Sequence, residues 1–229
     1  MSQGSKLSLL SSSVTLKVVM ALSGIALTGF AFQHMLGHLI VFQGREAYND
    51  YAAFLQGLGG IKWAARFGLL GLLGAHVAAA LALTKRNQDA RPEGYVSLRS
   101  QRTTFAAKTM AQVGMLIFFL LAYHLAHYTF GWVHAEQYEW VDELGRHDIY
   151  SAFVIGFQDP MILGLYFGFV TLVCMHLSHG ISSTFKTLGL AKGSYTKPVE
   201  AIGPALCVVL WLGYIAPPLA CFMGIVTEI

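Results

Sequence analysis

Residues 18–44 read VVMALSGIALTGFAFQHMLGHLIVFQG, 27 consecutive positions between Lys17 and Arg45 without one Asp, Glu, Lys or Arg. A helix crossing a hydrocarbon core of about 30 Å needs about 20 such residues, so this run is long enough to span a bilayer. Four more uncharged runs follow: 67–84 with 18 residues, then 109–135, 160–185 and 201–227 with 26 or 27 each. Backbone polar groups have no water to pair with in lipid. The runs are rich in Leu, Ala, Gly, Phe and Met and lack the alternation of barrel strands, so each reads as a helix. The expected fold is all-α, a single integral membrane bundle over residues 1–229 with transmembrane helices at about 17–42, 63–84, 106–131, 160–185 and 200–226.

Composition points the same way. The chain is 55% hydrophobic and 12% charged, where a soluble domain carries roughly 25% charge. A water-soluble chain of this size could not bury five such helices. Cys174, Cys207 and Cys221 all fall in apolar runs and form neither C-x-x-C nor C-x-x-C-H. Zinc, iron–sulfur and covalent haem c sites are therefore not indicated, and the cysteines read as packing residues. The first 17 residues are Ser-rich, with Lys6 and Lys17, like the start of a signal peptide. The apolar stretch after them is too long and too continuous with a spanning helix for cleavage to be expected.

Charge sets the expected topology. Lys6, Lys17, Lys85, Arg86, Arg91, Arg99, Arg102, Lys108, Lys186, Lys192 and Lys197, eleven of the fifteen basic residues, fall on the side of the N-terminus. Arg45, Lys62, Arg66 and Arg146 fall on the other. Positive loops stay in the cytoplasm, which predicts a cytoplasmic N-terminus and an outside C-terminus. Asp89, Glu93 and Glu200 are the only acids on the inner side. The net charge of +3 thus reflects orientation in a membrane and gives no reason to invoke nucleic acid.

Ionisable side chains inside a bilayer are costly and mark functional sites. Seven of the nine histidines lie within or at the end of the spans: His34 and His38 on the first, His76 on the second, His124 and His127 on the third, His176 and His179 on the fourth. One such His is often a packing residue; four helices each supplying at least one is harder to explain that way. Depth sorts them. At about 1.5 Å of rise per residue, His34 and His124 fall in the outer half and His76 and His176 in the inner half, two level pairs roughly 10 Å apart along the membrane normal. Paired neutral imidazoles across a bundle suit a six-coordinate haem, which leaves no open position at iron and serves electron transfer. Zinc would prefer a tetrahedral cluster at one depth. His38, His127 and His179 lie one helical turn from a proposed ligand, on nearly the same face. Each could be the ligand instead; otherwise they are expected to contact haem propionates, quinone or water. Gly24, Gly29, Gly37, Gly71, Gly74, Gly114 and Gly168 could make room for a flat macrocycle, or serve only close helix packing.

The chain resembles the single-subunit, five-helix, di-haem cytochrome b membrane anchor of bacterial succinate dehydrogenase and fumarate reductase. The resemblance runs nearly end to end. It rests on Q-H-M-L-G-H-L at 33–39, G-R-E-A-Y-N-D-Y-A-A-F-L at 44–55, A-H-V at 75–77, Asn87 with A-R-P at 90–92, Y-H-L-A-H-Y at 123–128, F-Q-D-P at 157–160, H-L-S-H-G at 176–180 and T-L-G-L at 187–190. Each motif is short; their order and the helix count make the match specific. It implies four haem-iron ligands, His76 with His176 for the haem nearer the cytoplasm and His34 with His124 for the one nearer the outside, hence two haem b. It further implies a flavoprotein subunit and an iron–sulfur subunit docked on the cytoplasmic face of a bacterial inner membrane, and ubiquinone or menaquinone as the membrane substrate. The chain would contribute the quinone half-reaction of a tricarboxylic-acid-cycle enzyme and carry no catalytic residue for the dicarboxylate. Two positions depart from the family: His38 stands where Asn is common and Lys186 where Gln is usual.

A quinone site is the least legible feature. Arg45, Glu46, Tyr48, Asn49 and Tyr51 follow the first span and could supply hydrogen-bonding groups near the outer haem, or be a solvated loop; Ser or Lys side chains near the basic loops give an inner alternative. No carboxylate lies inside an uncharged span. Two other classes share intramembrane histidines. A formate dehydrogenase or hydrogenase cytochrome b would usually have four helices and lack these motifs. A proton-coupled transporter predicts internal repeats and broken helices that the sequence does not show.

Overall fold

The computed structural model describes residues 12–90 and 105–228, with side chains omitted at 105–108. Lys6, Arg91, Glu93, Arg99, Arg102 and the side chain of Lys108, all part of the topology reading, lie outside the described residues. Among the described residues there are eight α-helices and no strand. They are α1 (Ser13–Leu39), α2 (Arg45–Gly57), α3 (Gly60–Asp89), α4 (Phe105–His124), α5 (Ala135–Tyr138), α6 (Ile149–Gln158), α7 (Pro160–Thr187) and α8 (Thr196–Phe222). Five helical stretches are long and apolar enough to cross a membrane: Ser13–Gln43, Gly60–Asp89, Thr109–Thr129, Pro160–Thr187 and Gly193–Phe222.

Local chemistry sets their ends. Ser12 caps α1, its hydroxyl accepting from Thr15 N at 3.1 Å. α1 tightens into a 3-10 turn over Ile40–Gln43 and stops at Gly44, whose φ of 96° suits only glycine. α3 continues through Lys85 and Arg86 to Asp89, because a helix that has left the hydrocarbon core loses nothing by carrying charge. The last span ends at Phe222, earlier than 226, followed by Gly224 at φ 68°. The F-Q-D-P motif begins α7: Asp159 accepts from Met161 N at 2.7 Å and Ile162 N at 3.4 Å, and Pro160 takes the first helical turn.

The bundle centres on α1, which packs against α3, α7 and α8; α7 packs most extensively on α8 and also on α4, whereas α3 and α4 barely touch. Two glycines permit the closest crossings. A Cβ on Gly203 would stand 2.3 Å from the Ser178 carbonyl oxygen, and one on Gly213 would stand 2.2 Å from Met35 Sδ. Large apolar side chains cover the outside, among them Leu22, Phe119 and Val208 at 55%, 62% and 58% exposure, as lipid contact requires.

The segments after the first and third spans are not simple loops. α2 and α6 lie against each other and over the end of the bundle, joined by a polar clamp. Arg45 pairs with Asp148. Asn49, fully buried, donates to Asp148 Oδ1 at 3.0 Å and Asp142 Oδ2 at 3.2 Å and accepts from Tyr150 N at 3.0 Å. Arg146 bridges Asp142 and Asp50. Burial pushes the Asp148 carboxyl pKa up, but hydrogen bonds from Arg45, Asn49 and Ser151 together outweigh it and hold the value at about 2.

Two outcomes follow for stability. Gly203→Ala meets a backbone carbonyl and Gly213→Ala a movable thioether, so the first should lower the thermal midpoint in detergent more, by a loss of about 1–3 kcal/mol; equal effects would contradict the crossing geometry. Because the Asp148 pKa is depressed, its stabilisation is complete above about pH 4 and is lost as pH falls toward 2. Asp148→Asn should therefore melt lower than the wild type at pH 6, with the gap narrowing in melts taken between pH 4 and 3.

Candidate functional site: two histidine levels in one cavity

Contacts between helices fix two levels inside the bundle. At one, Ser23 and Gly24 of α1 meet His76 of α3, whose ring faces His176 of α7 with centroids 6.3 Å apart and planes at 67°. Gly114 of α4 completes this level: a Cβ there would lie 3.4 Å from His176 Cε1, and one on Gly24 would lie 3.3 Å from His76 Cε1. At the other level His34 of α1 faces His124 of α4, centroids 5.9 Å apart and planes at 77°. Tyr214 of α8 sits 6.2 Å from His34 and donates to Ala31 O. Ten residues of α1 separate Gly24 from His34, and seven of α7 separate His176 from Phe169 beside His124. At 1.5 Å per residue the levels are about 10–15 Å apart.

The same geometry favours one tautomer. Ser23 is 3% exposed and its hydroxyl lies 2.7 Å from Val19 O and 3.2 Å from Met20 O, both acceptors only. With the hydroxyl proton directed there, Ser23 accepts from His76 Nδ1 at 3.1 Å, which leaves the Nε2 lone pair as the ring's free donor of electrons. Among the described residues, Nδ1 of His176 and of His124 are both buried without a hydrogen-bond partner, which is unusual for a polar atom inside a protein.

The three histidines one turn away are placed differently. His38 bonds His34, Nε2 to Nε2 at 3.2 Å, and Tyr48 OH at 2.8 Å, and stacks on Phe153; of the two α1 histidines, His34 is the one in ring contact with His124. His127 is 4% exposed, bonds Tyr166 OH at 3.1 Å and stacks on Tyr128 at 4.0 Å. It sits in a π-helical turn, Leu125–Thr129, that starts directly after His124; such turns are rare and gather at functional sites. His179 is half-buried on α7.

All seven line one cavity of about 2160 Å³, mostly apolar, that runs the length of the bundle. That is about twice the largest volume usual for a single small-molecule pocket. Tyr48 and Tyr51 also line it, and Gln33 donates to Tyr51 OH at 3.0 Å. Arg45, Glu46 and Asn49 do not; Arg45 and Asn49 are engaged in the Asp148 clamp. Of the seven glycines singled out by sequence, Gly24, Gly37 and Gly114 line the cavity, while a Cβ added at Gly29, Gly71, Gly74 or Gly168 would meet no atom of another element within 4 Å among the described residues. Among the described residues no group of three or more His, Cys, Asp or Glu is placed to hold a bare metal ion.

Sequence reading passed over Ser23, His134 and His147. Ser23 had a signal, a polar side chain amid an apolar span. His134 had none; its ring lies 5.1 Å from that of His127, and among the described residues it is the only non-glycine with positive φ, 54°. Lys186, a departure from the family pattern, pairs with Glu200 at 2.7 Å.

The Ser23 bond makes a checkable statement: ring ¹⁵N chemical shifts should show His76 held in one tautomer, protonated at Nδ1, and Ser23→Ala should release it to a mixture. A mixture in the unmodified protein would remove the assignment. Comparison with family models, with characterised proteins and with solved structures finds no match to this chain.

Proposed function

We propose that this chain is a di-haem cytochrome b, the membrane anchor and electron-transfer subunit of a bacterial succinate:quinone oxidoreductase, a succinate dehydrogenase or fumarate reductase. The observation that carries the reading is the pair of histidine rings facing each other at each of two levels, 5.9 and 6.3 Å apart, in one apolar cavity. An iron bound by two imidazoles at about 2 Å each, with about 1.1 Å from nitrogen to ring centre, puts the ring centres about 6 Å apart. The donor set and spacing therefore fit two bis-histidine haems, held by His76 with His176 and by His34 with His124. Haem held by these residues would supply reversible one-electron exchange.

The chain's own residues prepare that binding. Ser23 holds His76 with Nε2 bare, the second-shell support that metal-bound histidines commonly receive. Gly24 and Gly114 keep side chains from crowding His76 and His176. Tyr48 and Tyr166 orient His38 and His127 beside the second pair. The apolar wall keeps water out and lowers the local dielectric. For quinone, Tyr48, Tyr51 and His38 are among the groups that line the cavity and carry exchangeable protons, whereas Arg45 and Asn49 do not line it, so the first three are the candidate contacts near the outer haem.

Orientation and partners belong to the same proposal. The positive-inside asymmetry supports an N-terminus in the cytoplasm and a C-terminus outside. The basic inner segments then offer a landing surface for the iron–sulfur and flavoprotein subunits, which handle succinate or fumarate, while ubiquinone or menaquinone reacts within the membrane.

The test is a reduced-minus-oxidised spectrum with a pyridine haemochrome assay on the protein co-expressed with its neighbouring subunits. Two protohaems per chain are expected, falling to about one in His34→Ala, His76→Ala, His124→Ala or His176→Ala, since the levels share no ligand. A folded preparation without haem, after expression with haem precursor in excess, would sink the proposal.

A further inference from the structure

Four basic residues stand at the end of the bundle capped by α2 and α6, and two of them are committed. Arg45 is paired with Asp148, and Arg146 with Asp142 and Asp50. Lys62 and Arg66, one turn apart on α3, form no ion pair among the described residues. Lys62 donates only to Gln56, to the carbonyl oxygen at 3.1 Å and to Oε1 at 2.9 Å. Arg66 has only the face of Trp63 beneath it, its guanidinium 5.2 Å from the ring centre, and the Lys62 ammonium is 5.9 Å from the same ring. Both cations are half-buried and both line the mouth of the large cavity.

That mouth opens sideways. α3 and α4 barely touch, and the residues lining the cavity between them are also exposed on the outside, Phe67 at 66% and Leu70 at 54% on α3, Met115 at 45% and Phe118 at 42% on α4. α3 has 30 residues, about 45 Å of helix, more than the roughly 30 Å hydrocarbon core. The uncharged run begins at Phe67, so Lys62 and Arg66 stand where that core ends, at the depth of lipid headgroups. Trp63, 51% exposed and stacked on Phe67, is the residue type that anchors helices at this depth.

We infer that Lys62 and Arg66 form a binding site for the phosphate of an anionic phospholipid whose acyl chains lie in the cleft between α3 and α4. Two uncompensated cations on one helical face attract a phosphate; a zwitterionic lipid offsets that attraction with its own ammonium. The exposed Phe and Leu side chains along the cleft give the chains an apolar bed. The site needs neither haem nor an assigned orientation, since anionic lipid occurs in both leaflets.

The holoprotein would be examined by native mass spectrometry from nanodiscs containing equal phosphatidylglycerol and phosphatidylcholine. The wild type should retain phosphatidylglycerol in preference. A cation near a membrane surface is worth about fivefold in lipid affinity, so Lys62→Gln with Arg66→Gln should lower that preference by about 25-fold. Lys192→Gln, at the opposite end, should leave it unchanged. Equal retention of the two lipids by the wild type overturns the inference, and so does an unchanged preference in the double variant. If the double variant instead shifts the haem spectrum while lipid retention stays the same, the cations serve a haem carboxylate and the lipid assignment fails. Should the double variant not fold, the thermal midpoint of the wild type decides: phosphatidylglycerol must raise it more than phosphatidylcholine does, and less so in high salt.

Discussion

Inside a bilayer no water is available to a donor or acceptor, so every polar group in the bundle must find its partner within the protein. The backbone meets this by staying helical through five long stretches. Side chains meet it one at a time. Ser23 spends its proton on Val19 O and accepts from His76. Thr28 donates to Gly24 O, and Thr171 both donates to Phe167 O and accepts from Trp211. Against that background, among the described residues the buried Nδ1 atoms of His124 and His176 and the Tyr128 hydroxyl beside His124 have no partner, and the two histidines belong to the facing pairs.

The same constraint explains why the charged chemistry of the chain gathers at the ends. The Asp148 clamp combines two arginines, three aspartates and a buried Asn, an arrangement too costly to desolvate in mid-membrane. Placed at the end of the bundle, it fixes α2 and α6 to each other over that end and sets Tyr48 against His38. Motif residues that read as possible ligand contacts, Arg45 and Asn49, thus act on the site through the position of Tyr48.

The existence and approximate limits of the five spans were legible because uncharged runs of 18 to 27 residues admit few other readings. The grouping of histidines by depth was legible for a related reason: helical rise converts residue number into height. Two features were not. α2 lay hidden because its apolar face is short and its polar residues resemble those of a loop, and only the distant Asp142 and Asp148 give them partners. Which glycines matter was equally closed to sequence, since Gly24 and Gly29 lie five residues apart on one helix yet only Gly24 meets a histidine. Helix rotation decides that, and no single run of residues reports it.

The two histidine levels are chemically unequal. His76 is hydrogen-bonded to a serine, with Gly24 and Gly114 against the ring pair. His34 instead shares a 3.2 Å hydrogen bond with His38, which continues to Tyr48, and His124 lies among Tyr128, Tyr166 and Phe169. On the two-haem reading, the serine bond at His76 Nδ1 is a second-shell contact that tunes the ligand's basicity, whereas His34 would give up its Nε2 bond to His38 in order to bind iron through that nitrogen. Two irons in such different surroundings would not share one potential. The hydrogen bond from His38 to Tyr48 leads toward the capped end, and at the other level His179 lies one turn from His176 on the same cavity wall, so protic groups stand beside both.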